Sequence, residues 1–255
     1  ITKEKLIEKL GSSVSESEIC EDSLVLNKLN LDSNLFTKGY YIVQDEASAL
    51  VASSIGLPLD KEYKILDTCA APGGKSLHIA SKYFNSSLIS CDKYIHKLKL
   101  IEDNKEKLGI TNIEVKEQDA TLNNTSFNNK FDIVICDVPC SGIGVIKNKP
   151  EIKYKITNSY VEDIAKLQYD VLDNSKHYVK QEGILMYSTC TIDKRENIKN
   201  IEKFLKENKD FSLESISLKN SIVKTRENGV LEILPDEYSC DGFFIAKLKK
   251  MEEKC

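Results

Sequence analysis

Cys140 lies in the turn-like stretch Asp137-Val138-Pro139-Cys140-Ser141-Gly142, directly after the apolar run "FDIVIC". Cys190 lies in "MYSTCTIDKREN", directly after a second apolar run. Each thiol therefore falls at the end of a segment that reads as a strand. A cysteine there can be a nucleophile, a metal ligand or a small buried filler, and a single one is usually a filler. A structural metal would want paired ligands at short spacing. None of the eight cysteines (20, 69, 91, 136, 140, 190, 240 and 255) forms a CxxC pair, and His78, His96 and His177 stand far from any cysteine cluster. No metal is expected.

Three acids accompany the two thiols. Asp67 ends a short apolar run and is followed by Gly73-Gly74 at the start of a helical pattern. Glycines there permit close backbone approach and expose amide donors at a helix N-terminus. The spacing is neither GxGxxG nor GxxxxGKS, which disfavours a dinucleotide fold or a P-loop. Asp92 ends the next strand, about 20 residues on from Gly73, where an acid suits the two hydroxyls of a ribose. Asp119 follows the third strand, within reach of an adenine amino group. One acid at a strand end is usually a turn former. Three in consecutive loops imply a nucleoside-containing cofactor, and the lack of phosphate ligation points to S-adenosylmethionine over NAD or ATP.

Two thiols beside a methyl-donor pocket imply covalent chemistry, since a thiolate adds readily to an electron-poor ring. Methylation at C5 of a pyrimidine needs this set. C5 is a poor nucleophile until a thiolate adds at C6; an acid near N3 then stabilises the adduct, and a base removes the C5 proton before the thiol leaves. The turn at Pro139 suits Asp137 to the N3 position. An adenine N6 methylase would want an aromatic after the proline, where Cys140 stands.

The elements that must carry these groups alternate. "YKILDT", "SLISCD", "IEVKEQ", "FDIVICD" and "GILMYST" read as strands, the fourth almost continuously apolar as a central parallel strand should be. Helical patterns separate most of them. One ends at Gly109, one is expected to open at the capping box Ser159-x-x-Glu162, and one at Asp193-x-x-Glu196. "VLEILP" and "DGFFIAKLK" read as a closing antiparallel pair. Repeated strand–helix units predict an α/β fold whose mostly parallel sheet has helices on both faces. Residues 1–44 lack this rhythm and read as a partial N-terminal module or extension, leaving 45–255 as the catalytic domain.

Composition is consistent with this. Apolar residues at 41% and charged residues at 30% are globular values. No apolar run approaches the roughly 18–20 residues that span a bilayer, so no membrane is expected. The amphipathic N-terminus has no signal-peptide character and no initiator Met, as in part of a longer protein. Scattered cysteines in a chain of this length suit a reducing, cytoplasmic location. The net charge of −4 argues weakly against nucleic acid, yet Lys147, Lys149, Lys153 and Lys155 crowd into "IKNKPEIKYK".

Taken together, "LDTCAAPGGKS", "FDIVICDVPCSGIGVIKNKPEIKY", "MYSTCTIDKREN" and "DGFFIAKL" resemble the cytosine-C5 RNA methyltransferases of the Nop2/Sun family, most of all the bacterial branch that methylates 16S ribosomal RNA. The resemblance runs from about residue 40 to 248. It implies a class I methyltransferase fold with a seven-stranded sheet and an antiparallel C-terminal strand. It also implies S-adenosylmethionine as donor, and a cytosine in ribosomal RNA, within 16S or a small-subunit assembly intermediate, as acceptor. The family's donor loop is similar to Cys69, Ala70, Ala71, Pro72, Gly73, Gly74 and Lys75; its ribose acid to Asp92, its adenine-side acid to Asp119, and its strand-four acid, beside donor and base alike, to Asp137. The resemblance makes Cys190 the nucleophile and Cys140 the helper in product release. A bare "DVPC" would have suggested the opposite, because DNA cytosine methyltransferases attack with the "PC" cysteine.

The family usually carries two arginines where this chain has Lys147-Asn148-Lys149. With Lys153, these lysines are expected to grip RNA phosphates without an arginine's bidentate fork. The branch often carries an N-terminal helical RNA-binding domain that this sequence does not show, which would account for its acidity. A monomer is expected. Competing readings are the same chemistry on transfer RNA or another ribosomal site, a catalytically idle RNA-binding or ribosome-assembly module, and a small-molecule Rossmann enzyme.

Overall fold

A computed structural model describes residues 1–27, 34–225 and 228–252. The N-terminal segment holds α1 (Lys3–Leu10), the β1–β2 hairpin (Val14–Glu16 and Leu24–Leu26) and α2 (Asn34–Thr37). Then come α3 (Glu46–Ile55), β3 (Lys64–Asp67), α4 (Gly74–Lys82), β4 (Ser87–Asp92), α5 (Ile95–Leu108) and β5 (Ile113–Glu117). The rest comprises β6 (Phe131–Asp137), α6 (Asn158–Ser175), β7 (Val179–Thr189), α7 (Ile198–Glu207), β8 (Phe211–Leu213), β9 (Val230–Ile233) and β10 (Phe243–Lys250).

The sheet order is β5-β4-β3-β6-β7-β10-β8. The five strands from β5 to β7 are parallel, and β10 is antiparallel to β7. β9 pairs with the first half of β10 and β8 with the second, so the two short strands fill one place at the edge. Eight strands thus occupy seven places. The α/β class, parallel sheet and antiparallel C-terminal strand agree with the sequence.

Alternation along the central strands explains why both faces are covered. Ile65, Ile133, Ile135, Ile184, Met186 and Ile245 point to one side and pack with Leu50 and Ile55 of α3 and Leu77 and Ile79 of α4. Leu66, Val134, Cys136, Leu185, Tyr187 and Phe244 point to the other and pack with Tyr169 and Leu172 of α6 and Phe204 of α7. Strands buried on both faces lose polar alternation and read as continuous apolar runs. Cys91 and Cys136 belong to the second cluster, where burial pushes both thiols up to about 12. They are fillers.

Two expected helix starts shift. α6 begins at Asn158, and Thr157 caps it by accepting from the Tyr160 amide at 3.1 Å; Ser159 only meets the Thr157 hydroxyl. α7 begins at Ile198, and Asp193–Glu196 forms a turn ahead of it. Both carboxylates of that supposed capping box are occupied elsewhere, Asp193 on its neighbour Arg195 and Glu196 on the Cys140 turn.

Residues 17–22 are stitched to the body. Ser17 donates to Glu46, while Asp22 holds Lys82 at 2.6 Å and Ser53 at 2.9 Å. Among the described residues no helix is long and apolar enough to cross a membrane.

Candidate active site

The strand order reverses between β3 and β6: β4 and β5 build outward from one side of β3, β6 and β7 from the other. In open α/β sheets ligands bind beyond the carboxyl ends of strands at such a switch point. The turns after β3, β4, β6 and β7 meet there, and each carries one of the residue groups singled out above.

After β3 the chain bonds sideways to both neighbours. The Thr68 amide reaches Ile135 O of β6 at 3.0 Å, and the Ala70 amide reaches Cys91 O of β4 at 2.8 Å. Cys69, Ala70, Ala71, Pro72, Gly73, Gly74 and Lys75 form the loop and first turn of α4, with a cis bond between Ala71 and Pro72. Gly73 has φ +107°, open to glycine at little cost, and a Cβ there would lie 3.2 Å from Ile101 Cγ1. Asp67 anchors the loop from below: it is fully buried, accepts from Ser76 Oγ at 2.6 Å and from the Cys69 amide at 3.3 Å. Burial pushes its carboxyl up to about 7, against the Ser76 hydrogen bond and with help from the Asp137 charge. Burial likewise holds the Cys69 thiol neutral.

Asp92 closes over this loop. Its Oδ2 accepts from the Ala71 amide at 3.3 Å and its Oδ1 from the Tyr94 amide at 3.0 Å. One donor on each oxygen leaves lone pairs for two hydroxyls. Asp119 lies one strand further out and is more fully engaged. Lys93 contacts its Oδ2 at 2.8 Å, and the Thr121 amide and hydroxyl donate to Oδ1. The Lys93 ammonium, with Thr121, brings its carboxyl down to about 2.

At the ends of β6 and β7 the register sets Asp137 opposite Ser188. Ser188 Oγ donates to Asp137 Oδ1 at 2.7 Å, and Lys75 Nζ reaches Asp137 Oδ2 at 2.7 Å. Burial works against the Lys75 charge, but the Asp137 carboxylate outweighs it and holds the ammonium above its ordinary value. Lys75 also lies over the Phe243 ring, 5.3 Å from the centroid. The ammonium expected in the donor loop thus bridges that loop to the strand-four acid.

The two thiols meet. Cys140 Sγ and Cys190 Sγ stand 3.1 Å apart and both are free. The proton they share favours Cys140. Its thiol is held well above the ordinary value, first by its hydrogen bond to Cys190 and then by burial and the Glu196 charge. Cys190 is held below the ordinary value by that same hydrogen bond, with Lys75 assisting against burial and Asp137. Cys190 is therefore the more thiolate-like of the pair.

Close backbone crossing locks the arrangement. The Gly144 amide donates to Cys190 O at 3.1 Å, and the Gly242 amide donates to Gly144 O at 2.9 Å. A Cβ on Gly144 would stand 2.2 Å from Gly242 O and 2.8 Å from Cys190 O, which leaves room for glycine alone.

Lys147, Lys149 and Lys153 are exposed on the lip that follows. Ile152 anchors this lip, its Cδ1 lying 3.1 Å from where a Gly142 Cβ would be. Lys153 Nζ sits 4.9 Å from the Tyr154 ring centroid, and Tyr154 is 82% exposed. Asn148, in the place of the family's basic run, donates to Asp241 at 2.9 Å.

Every site residue named from the sequence falls at the carboxyl end of the sheet, with Asp119 one strand out from the centre and Lys147, Lys149 and Lys153 on the lip. Ser188 and Glu196 were not picked out as site residues, and Asp67, read as a strand-end acid facing the cofactor, instead lies buried beneath the loop on Ser76 and the Cys69 amide. Glu196 was hidden as the last residue of a capping box; its signal is its place in the turn that carries Cys190. Cys255 lies outside the described residues. Among the described residues no three His, Cys, Asp or Glu side chains converge as a metal set would. A cleft of about 560 Å³ opens by the amino ends of β3 to β6, lined by Lys64, Asn112 and Phe127 among others, at the opposite end of the sheet.

Residues 54–249 match the family model described as 16S rRNA methyltransferase RsmB/F. The "Probable ribosomal RNA small subunit methyltransferase B" of Bacillus subtilis (strain 168) is 38% identical over 246 residues, covering 94% of this chain and 55% of that protein. The chain therefore spans about half the length of such curated relatives. The crystal structure of NSun6 from Pyrococcus horikoshii with SFG superposes with a TM-score of 0.76 at 29% identity, over 89% of this chain and 57% of that one. A methyltransferase homolog protein from Pyrococcus horikoshii gives 0.84 at 23% identity, over 98% and 83%, which speaks for the fold.

Proposed function

We propose, from the premise that the chain belongs to the 16S rRNA methyltransferase RsmB/F family, that it methylates C5 of a cytosine in 16S ribosomal RNA through a covalent bond between Cys190 and C6. The observation that carries this reading is the Cys140–Cys190 contact at 3.1 Å, set beside the Lys75–Asp137 pair at 2.7 Å. Bound S-adenosylmethionine would supply the methyl group.

The donor suits the residues present. Gly73 leaves its cradle unfilled, Asp92 retains lone pairs for ribose hydroxyls, and Asp119 flanks the adenine side. Cys69 to Lys75 would wrap the remainder, with Asp137 at the reacting end.

Cys190 Sγ adds to C6, the C5–C6 π bond opens, and its electron pair moves toward C5 and N3. The Asp137–Lys75 pair stands by to hold N3 and offset the developing charge. Once C5 carries the methyl group, a base takes the C5 proton, the C5–H electron pair re-forms the C5–C6 double bond, and the C6–S bond breaks with its pair returning to Cys190 as thiolate. Cys140, with its sulfur on the leaving one, assists that release. Access to both ring faces requires an unstacked base. Lys147, Lys149 and Lys153 would meet phosphates on the lip. The enzyme acts as a monomer in the cytoplasm, with residues 45–255 as its catalytic domain and 1–44 as a partial N-terminal module or extension.

Bisulfite sequencing of ribosomal and transfer RNA from cells with and without the gene tests the substrate. A small-subunit RNA cytosine that loses its resistance to conversion when the gene is removed supports the reading. Loss confined to transfer RNA overturns the acceptor, and no loss anywhere overturns the reaction.

A further inference from the structure

We propose that Glu196 is a positioning residue: its buried carboxylate ties the Pro139–Gly142 turn to the turn that follows Cys190, and so holds the Cys140 thiol, proton included, on the Cys190 sulfur. The proposal rests on reading Cys190 as the nucleophile.

Glu196 is wholly buried, and among the described residues no ammonium or guanidinium stands within ion-pair distance of it. The neighbouring Arg195 guanidinium is turned to Asp193, with Nη2 2.6 Å and Nε 3.0 Å from its carboxylate oxygens. Four uncharged donors hold Glu196 instead. The Ser141 amide and Gln168 Nε2 each reach Oε2 at 2.8 Å, while the Ser141 and Thr191 hydroxyls reach Oε1. An ionised carboxylate in the interior needs such a set, because it can only accept.

The donors come from both sides of the thiol pair. Ser141 follows Cys140 and Thr191 follows Cys190. The Ser141 and Thr191 hydroxyls also meet each other at 2.9 Å. Gln168 of α6, itself fully buried, extends the clamp by donating to Pro139 O at 2.9 Å. On the far side the Tyr187 hydroxyl donates to Glu196 O, and Asn197 donates to Thr191 O at 2.8 Å. Both turns converge on the carboxylate.

Because its partners are neutral, its charge remains to act on Cys140. The ionisable groups facing Cys140 are Cys190, Glu196 and Tyr187; those facing Cys190 are Cys140, Asp137 and Lys75. Beside Cys190 the Asp137 and Lys75 charges oppose one another, so the negative charge behind Cys140 is what keeps the proton on Cys140 and leaves the negative charge to Cys190, which accepts the Cys140 hydrogen bond. A neutral tether of the same shape would hold the turns together without that polarity.

Alkylation of the full chain by iodoacetamide across pH, followed by mass spectrometry of the two cysteine peptides, reads the polarity without requiring methyl transfer. One unit of separation between the two thiols gives about a tenfold difference in thiolate, so the parent chain is expected to label Cys190 at least about tenfold faster than Cys140 at neutral pH. In Glu196→Gln the ratio falls toward unity because the Cys140 midpoint drops; Glu196→Asp restores most of the preference. An unchanged ratio and midpoint in a folded Glu196→Gln chain overturn the proposal. Should that variant fail to fold, Ser141→Ala, which removes one donor, is expected to lower the ratio several-fold, and an unchanged ratio there overturns it equally. A parent chain that labels Cys140 as fast as Cys190 overturns the nucleophile assignment itself, a separate outcome.

Discussion

Cys140 Sγ rests 3.1 Å from Cys190 Sγ, fifty residues away along the chain, and Cys190 is the one whose surroundings favour the thiolate. Two sulfurs at hydrogen-bond distance share one proton, and the charges around them decide its place. On the Cys190 side the Asp137 and Lys75 charges offset one another, and on the Cys140 side Glu196 opposes ionisation, which leaves the proton on Cys140.

Removing either member of the Lys75–Asp137 pair should strike the chemical step. Asp137→Asn is expected to lower kcat by ~10²-fold or more, the scale of losing one preorganised group at a developing charge. Lys75→Met should do likewise and also raise the pH midpoint for alkylation of Cys190. Single-turnover methyl transfer and thiol labelling check the two effects.

Asp92→Ala is expected to weaken S-adenosylmethionine binding ~10- to 100-fold, corresponding to charge-assisted hydrogen bonds of about 1.5–3 kcal/mol. Asp119→Ala should cost less, because Lys93 and Thr121 already occupy that carboxylate. Calorimetric titration of the chain with the donor separates them. An unaltered affinity in Asp92→Ala moves the ribose contact elsewhere.

Lys147, Lys149 and Lys153 can act only through phosphate charge, having no paired fork to offer. Replacing each with Ala should flatten the slope of log K against log salt by about 0.7 on single-stranded RNA. Fluorescence anisotropy with a small-subunit RNA fragment measures it. A slope that persists through all three substitutions would take these lysines out of the interface.

The chain order made much of this legible. Apolar runs ending in Asp67, Asp92, Asp137 and Thr189 announced parallel strands, and their ends had to gather on one side of the sheet. What sequence order could not supply was the partner of each polar group. Lys75 read as one residue of a donor loop, while the fold turns its ammonium onto the strand-four acid. Glu196 read as a helix cap because Asp193-x-x-Glu196 has capping-box spacing, yet the helix starts later and the carboxylate closes a contact with Ser141. Short-range patterns report local geometry; a buried carboxylate answers to donors brought from three separate segments. The pairing of β9 with β10 was legible, whereas β8, three residues long, was not read as a strand although it shares the outer edge of β10.

Asp67 carries a pH signature. Burial raises its folded carboxyl to about 7, against about 3.9 in an unfolded chain. A raised value contributes stability that is complete below about pH 4 and disappears as pH climbs through about 7. Asp67→Asn mimics the protonated form and still accepts from Ser76. The variant should therefore gain on the parent as pH rises from 4 to 8, by up to about 4 kcal/mol. Urea unfolding of both chains at several pH values from 4 to 8 measures the difference; Asp119, whose value is lowered to about 2, affects stability only below about pH 4. A difference that stays flat would give Asp67 an ordinary carboxyl.

The most direct measurement incubates the parent, Cys190→Ala, Cys140→Ala and the double variant with donor and small-subunit RNA, then resolves the products on a denaturing gel. The account predicts that Cys140→Ala accumulates a slow-migrating protein–RNA species that survives denaturation, and that neither chain lacking Cys190 forms it or transfers methyl. Turnover by Cys190→Ala, or an adduct formed without Cys190, would contradict the assignment.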